Sequence, residues 1–219
     1  MGRSIRLEAA DRHEFGAYRA DPEENPRGGI VVVQEIFGVN AHIRAVADEF
    51  ASEGYAVIAP ALFDRVEREF ETGYDEASRP RARAIRAAIP VEQTMLDIDA
   101  AIKALPGKIG VVGYCWGGSM AWVSACRLKP ACAICYYGAQ IIDFVAEKPR
   151  APVIMHFGTR DPLIPAENIA AIAKAHPQVP IYTYEANHGF NCDARADYDA
   201  DAAMLALERT FEHIRKYVG

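Results

Sequence analysis

The segment VVGYCWGG, residues 111–118, decides how the rest of the chain is read. Its valines belong to an apolar run that starts at Ile109. Gly113 and Gly117 stand two residues either side of Cys115, and Gly118 follows. The next stretch, 117–128, is long and apolar enough for a helix. A buried strand that turns into a helix through Gly-x-Cys-x-Gly makes a sharp corner, with the central side chain lifted beyond the carboxyl edge of the sheet. Small neighbours are needed because strand and helix approach too closely there for a Cβ. The start of the helix offers positive potential to a thiolate and presents the backbone N–H of Trp116 to an oxyanion. Taken alone, Cys115 could equally be a buried structural thiol, a common state of free cysteine. The strand before it and the helix after it favour the corner.

Outward from this corner, apolar runs of strand length alternate with helical spacing. GIVVVQE (29–35), YAVIAP (55–60), IGVVGY (109–114), ACAICYYG (131–138), PVIMHFG (152–158) and IYTYEA (181–186) read as strands. Helices are predicted over 43–53, 91–105, 117–128, 166–175 and 198–217. In the second of these, Met95, Ile98, Ile102 and Leu105 keep the three-and-four spacing of an amphipathic helix. The charged stretch 63–86 has no strand pattern and is expected to hold a loop and short helices over the core. The first twenty residues are expected to add a strand or hairpin at the sheet edge. Uniformly apolar strands separated by helices mean an α/β fold with a mostly parallel central sheet covered on both faces. With no repeat or linker in sight, one domain over 1–219 is expected.

Composition narrows the partners. Thirty acidic against 24 basic side chains give a formal charge of −6, which argues against nucleic acid or an anionic membrane as partner. No apolar run approaches the ~18 residues of a membrane span, and the opening residues lack the apolar stretch of a secretory signal, so a cytoplasmic chain is expected. Five cysteines, an odd number in a fairly large domain, suit reduced thiols more than a disulfide framework.

A nucleophile at such a corner needs a base and an orienting acid, each in a loop after a later strand. Asp161 follows the strand at 152–158, and His188 follows the one at 181–186, so the order Cys115, Asp161, His188 is that of nucleophile, acid and base. Asp161 before Pro162 could also be a turn residue, and His188 before Gly189 could sit in a surface turn. All three positions fitting one topology favours catalysis. His156 competes for the base but lies inside a strand, where a buried structural role fits better. His13, His42, His176 and His213 form no pair with metal-ligand spacing and nearby acids, so no metal and no cofactor are expected.

The chain resembles the dienelactone hydrolase family of the α/β-hydrolase superfamily. The resemblance rests on VVVQEIFGVN (31–40), GYCWGG (113–118), CYYG (135–138), FGTRDPLIP (157–165) and NHGF (187–190). It implies an α/β-hydrolase fold with Cys115 as nucleophile, His188 as base, Asp161 as orienting carboxylate, and Glu35 in contact with the resting thiol. On physical grounds Glu35 ends a buried strand, where a carboxylate needs a partner; pairing with Arg79 or Arg81 is the structural alternative. The N–H of Ile36 is expected to join that of Trp116 as an oxyanion donor. The resemblance further implies arginines that hold a substrate carboxylate: Arg79, with Arg81 as substitute, and a second one four residues after the histidine. Cys192 occupies that second position here, and Arg195 is the nearest replacement. Tyr137 is a weaker candidate for lining the pocket.

The sulfur itself selects a substrate class. In a tetrahedral adduct the thiolate is a good leaving group, so a poor alkoxide loses the competition to depart, whereas the enolate of an enol ester wins it. Cysteine proteases escape this limit by protonating the departing amine, so the argument is one of preference. It favours activated esters or unsaturated lactones of dienelactone (carboxymethylenebutenolide) type, cleaved through a thioester acyl-enzyme. Alternatives are a carboxylesterase or thioesterase acting on other small esters, a non-catalytic binding member of the fold, and a redox-regulatory thiol protein using Cys132 and Cys135. The last is weakened because ACAICYY reads as a buried strand and not as a helix start. The partner expected is therefore a small-molecule ester or lactone; oligomeric state leaves no mark in the sequence.

Overall fold

The computed structural model describes residues 2–219. Its elements run β1 (Arg3–Glu8), β2 (Glu14–Ala20), β3 (Gly29–Val33), α1 (Ala41–Ser52), β4 (Ala56–Pro60), α2 (Arg79–Ala87), α3 (Val91–Lys103), β5 (Ile109–Tyr114), α4 (Trp116–Arg127), β6 (Cys132–Tyr136), β7 (Val153–Gly158), α5 (Ala166–Ala175), β8 (Ile181–Tyr184) and α6 (Ala200–Tyr217), with short 3-10 turns at Leu62–Arg65 and Ile141–Phe144. They build one eight-stranded sheet of order β1-β2-β4-β3-β5-β6-β7-β8. The β1–β2 hairpin joins antiparallel at the β4 edge, as expected for the first twenty residues, and the remaining pairs are parallel. This is the α/β-hydrolase architecture.

Strands β3 to β7 are buried along their whole length, which is why they are apolar without alternation. Ile30, Val31, Val32 and Val33 have no exposed surface at all, and each such side chain contributes ~1.5–3 kcal/mol of burial. Helices α1 and α6 share one face, their Phe50 and Phe211 rings 5.4 Å apart, while α3 and α4 pack together on the other. Edge strand β8 is half-exposed and stops at Tyr184, two residues short of the expected end.

Helix starts depart from expectation by about a turn or less, for local reasons. Helix α1 begins two residues early because the Asn40 side chain caps it, accepting from the Ile43 N–H at 3.2 Å. Helix α6 starts two residues late, capped by Asp199, which accepts from Ala202 N–H at 3.0 Å. In the charged stretch 63–86 the one α-helix is α2. Within that stretch, Arg65 closes a buried ion pair with Asp97 of α3 at 2.7 Å, its other nitrogen reaching Asp11 of the hairpin at 2.8 Å. These contacts pin the segment after β4 against the hairpin and α3.

Because the parallel strands point the same way, the segments after β3, β5, β7 and β8 emerge at one edge of the sheet. Glu35, Cys115, Asp161 and His188 lie on those segments.

Candidate active site

The corner is built as its glycines require. A Cβ on Gly113 would overlap the carbonyl of Gly117, one on Gly117 would overlap that of Val33, and one on Gly118 would overlap that of Tyr136. Cys115 sits between β5 and α4 at φ 55°, ψ −117°, a region that costs a non-glycine residue roughly 1–3 kcal/mol. Its N–H donates to the Tyr136 carbonyl at 3.0 Å and its carbonyl accepts from Ser119 N–H at 3.2 Å, so neighbouring structure holds the strained backbone.

Three loops bring the expected triad together. His188 Nε2 lies 3.0 Å from Cys115 Sγ, and His188 Nδ1 lies 2.7 Å from Asp161 Oδ2. The other oxygen of Asp161 accepts from Leu163 N–H at 2.8 Å, so the carboxylate is fixed from two sides. Asp161 and His188 are buried, and Cys115 is half-buried. Burial opposes charge on the His188 ring, but the Cys115 sulfur and the Asp161 carboxylate flanking it outweigh that and hold the imidazole up at about 10. An imidazole between a sulfur and a carboxylate can take up the proton of the sulfur and deliver it elsewhere.

Trp116 opens α4 and Ile36 follows Glu35; neither backbone N–H is used in the turn and loop bonds of the described residues.

Glu35 departs from the expected contact. The group on the thiol is His188; Glu35 instead turns to Arg195, its Oε1 3.5 Å from Nη1, and its Oε2 has no hydrogen-bond partner. Neither Arg79 nor Arg81 supplies the partner for this fully buried carboxylate. Arg195, nine-tenths buried, also reaches Asp197 at 3.4 Å and stands 5.8 Å over the Tyr74 ring, so it is engaged within the protein and not held open toward a ligand. Of the remaining arginines, Arg79 opens α2 half-buried, whereas Arg81 is exposed and pairs with Glu67. Neither makes a hydrogen bond to Cys115, His188 or Asp161.

Tyr137 is fully buried at φ 39°, with its ring edge-on to His188 at 5.2 Å and to Phe190 at 5.3 Å. Its hydroxyl has no partner, and burial together with the Glu35 carboxylate keeps the phenol protonated. His156 is the structural histidine its strand position suggests. Its Nδ1 faces Tyr184 Oη at 2.8 Å, and burial with the Arg209 charge lowers it to about 3. Cys132 and Cys135 are buried in β6, three residues apart and therefore on opposite faces of the sheet, and burial pushes the Cys132 thiol up to about 12. That placement removes the physical basis for a disulfide between them.

Several neighbours of the site have contacts that the sequence does not signal. Gln34 is fully buried, accepting from Leu62 N–H at 3.2 Å and so locking the end of β3 to the 3-10 turn after β4. Tyr74, from the charged stretch, packs edge-on against Phe37 at 4.7 Å. His42, Cys192 and Asp193 converge beside them.

Comparison with known proteins identifies the family and the fold. The model of the dienelactone hydrolase family matches residues 15–218. The carboxymethylenebutenolidase of Pseudomonas putida is 33% identical over 223 residues, covering 96% of this chain and 94% of that protein. Carboxymethylenebutenolidase 1 of Cupriavidus pinatubonensis is 30% identical over 211 residues, covering 90% of each. A candidate dienelactone hydrolase from Klebsiella pneumoniae superposes with a TM-score of 0.84 at 27% identity, covering 98% of this chain and all of that one. A dienelactone hydrolase-like promiscuous phosphotriesterase from metagenomic libraries, at 20% identity and a TM-score of 0.78, shares the fold.

Proposed function

Since this chain belongs to the dienelactone hydrolase family and is a hydrolase, we propose that it cleaves an activated ester or lactone of dienelactone type through a Cys115–His188–Asp161 triad and a thioester acyl-enzyme. The observation that carries the reading is the row of sulfur, imidazole and carboxylate at 3.0 and 2.7 Å.

In this mechanism the Cys115 thiolate attacks the acyl carbon and the carbonyl electrons move onto oxygen, where the N–H groups of Ile36 and Trp116 receive the charge. Collapse of the adduct re-forms the carbonyl and breaks the ester C–O bond. An enolate departs and takes its proton from His188. The neutral His188 then accepts a proton from water as that water attacks the thioester, and the acid product and the Cys115 thiolate separate. Asp161 keeps Nδ1 protonated and the ring oriented throughout.

The substrate carboxylate, where there is one, is assigned to Arg79 and Arg195. Arg81 is the weaker choice because it is committed to Glu67 at the surface. Arg195 must loosen its 3.5 Å contact with Glu35 to bind an anion, so such a substrate competes with Glu35 for the guanidinium. Tyr137 forms the wall beside His188. The second reading, a small-molecule carboxylesterase or thioesterase for uncharged esters, draws on the same observation: Arg195 is occupied and Cys192 stands at the other arginine position. Comparing kcat/KM for dienelactone with that for an uncharged ester of similar size tests the choice. A preference for the anion that disappears in Arg79→Ala and Arg195→Ala supports the first reading, and equal rates for both substrates support the second. Five free thiols suit the reducing cytoplasm, and no helix among the described residues is long and apolar enough to cross a membrane.

A further inference from the structure

The fold brings His42, Cys192 and Asp193 together across 151 residues of sequence, with one donor atom of each within 4.8 Å of the other two. None of them belongs to the Cys115 row. His42 sits in the first turn of α1 with a side chain only 6% exposed, and its Nδ1 lies 3.2 Å from Asp193 Oδ1. Cys192 is fully buried, and its N–H bonds to the Gly189 carbonyl at 2.9 Å, which fixes the residue in the loop after His188. Asp193 is largely exposed and free to adjust.

Two features make this corner suited to a cation. Buried polar atoms there lack partners: the His42 ring, whose Nδ1 faces Asp193, leaves its Nε2 unpartnered, and Glu35 Oε2 is unpartnered too. The neighbourhood also carries the carboxylates of Glu35, Asp193 and Asp197, against the Arg195 guanidinium that contacts two of them.

The donor set and its spacing are informative. An imidazole nitrogen, a thiol and a carboxylate suit a divalent ion of borderline softness more than magnesium or calcium. Bonds of ~2.0–2.3 Å to tetrahedral zinc put donor atoms roughly 3.3–3.8 Å apart. The His42–Asp193 separation is already of that size. The donor atoms lie within 4.8 Å of one another, so closing the set around an ion takes a movement of about 1 Å.

We propose that His42, Cys192 and Asp193 form a binding site for a divalent cation, zinc foremost, with one coordination position left to water. On binding, the Cys192 S–H bond gives way to a sulfur–metal bond, the proton goes to solvent, and the ion sheds water in exchange. The bound ion ties the start of α1 to the loop that follows His188 and also carries Arg195, so it stabilises that loop. Sequence spacing does not reveal such a site because its donors lie on two distant segments.

Cobalt(II) provides the probe, because a thiolate ligand gives it a near-ultraviolet charge-transfer band. Metal-free wild-type protein, kept reduced with a phosphine, is titrated with Co2+, back-titrated with Zn2+, and melted with and without Zn2+. The expected result is one Co2+ per chain with a thiolate band, displacement by one equivalent of Zn2+, and a higher Tm with Zn2+. Cys115→Ser keeps the band; Cys192→Ser and His42→Gln lose it. The exposed substitution Asp193→Asn, which spares the core, weakens Co2+ binding about tenfold or more. The proposal is overturned by no uptake in wild type at about 100 μM free metal, by a band that persists in Cys192→Ser, or by undiminished affinity in Asp193→Asn. A band lost in Cys115→Ser instead places the ion on the nucleophile and overturns it equally.

Discussion

Arg195 and Glu35, 160 residues apart in sequence, meet in the interior with Nη1 3.5 Å from Oε1. The carboxylate is 1% exposed and the guanidinium 10% exposed, so each is the other's main source of charge compensation. Removing one member of such a pair strands the other in a medium that solvates it poorly, and the loss exceeds the attraction itself. Arg195→Met is therefore expected to lower unfolding stability by about 3 kcal/mol. Pairing it with Glu35→Gln should restore much of that loss. Urea denaturation of the two single variants and the double variant measures the coupling; strictly additive losses contradict it.

Strain at the corner gives a prediction of opposite sign. Cys115 holds φ 55° and ψ −117°, a conformation that glycine adopts freely. Cys115→Gly is expected to abolish hydrolysis while raising stability by about 1 kcal/mol. An inactive variant less stable than wild type by a similar amount would show that the backbone there is relaxed.

The pH dependence follows from His188. A free imidazole titrates near ~6.5, whereas this ring is held at about 10. A basic group with a raised folded value stabilises the protein fully below its unfolded value and loses that contribution as pH rises through the folded one. The stabilisation is thus complete below ~6.5, declines above it and is gone beyond about 10. Burial alone lowers the ring, so removing the sulfur in Cys115→Ala should bring the His188 NMR titration down and flatten stability against pH in that window. An unchanged midpoint in Cys115→Ala would assign the shift elsewhere.

His156 supplies the complementary acid-side test. It is buried neutral, held at about 3, so the unfolded chain takes up a proton between ~6.5 and 3 that the folded chain refuses. Stability should fall as pH drops through that range, by on the order of 2 kcal/mol between pH ~6.5 and ~4.5. His156→Gln should reduce the slope. An identical acid limb in wild type and variant argues that other groups set it.

What the sequence makes legible divides along physical lines. Strands β3 to β7 are visible because both faces of each are buried, and the corner is visible because its glycines answer to backbone crowding within six residues, 113–118. Asp161 and His188 follow from the order of strands. Helix starts slip because a single capping oxygen, on Asn40 or Asp199, outweighs the apolar periodicity next to it. Helix α2 is hard to see because it buries only Ala82 and Ile85 within an arginine-rich stretch. The partner of Glu35, the packing of Tyr74 and the convergence of His42 with Cys192 and Asp193 depend on where loops from distant segments come to rest. Local propensity carries no information on those distances.

The central claim is that Cys115 sulfur carries the acyl group, and intact-mass analysis of quenched turnover tests it most directly. Mixing the protein with excess p-nitrophenyl ester and quenching in acid within the first turnovers should add one acyl mass per chain, located by peptide mapping to Cys115 and absent from Cys115→Ala. An acyl group mapped to another residue, or full turnover by Cys115→Ala, contradicts the account.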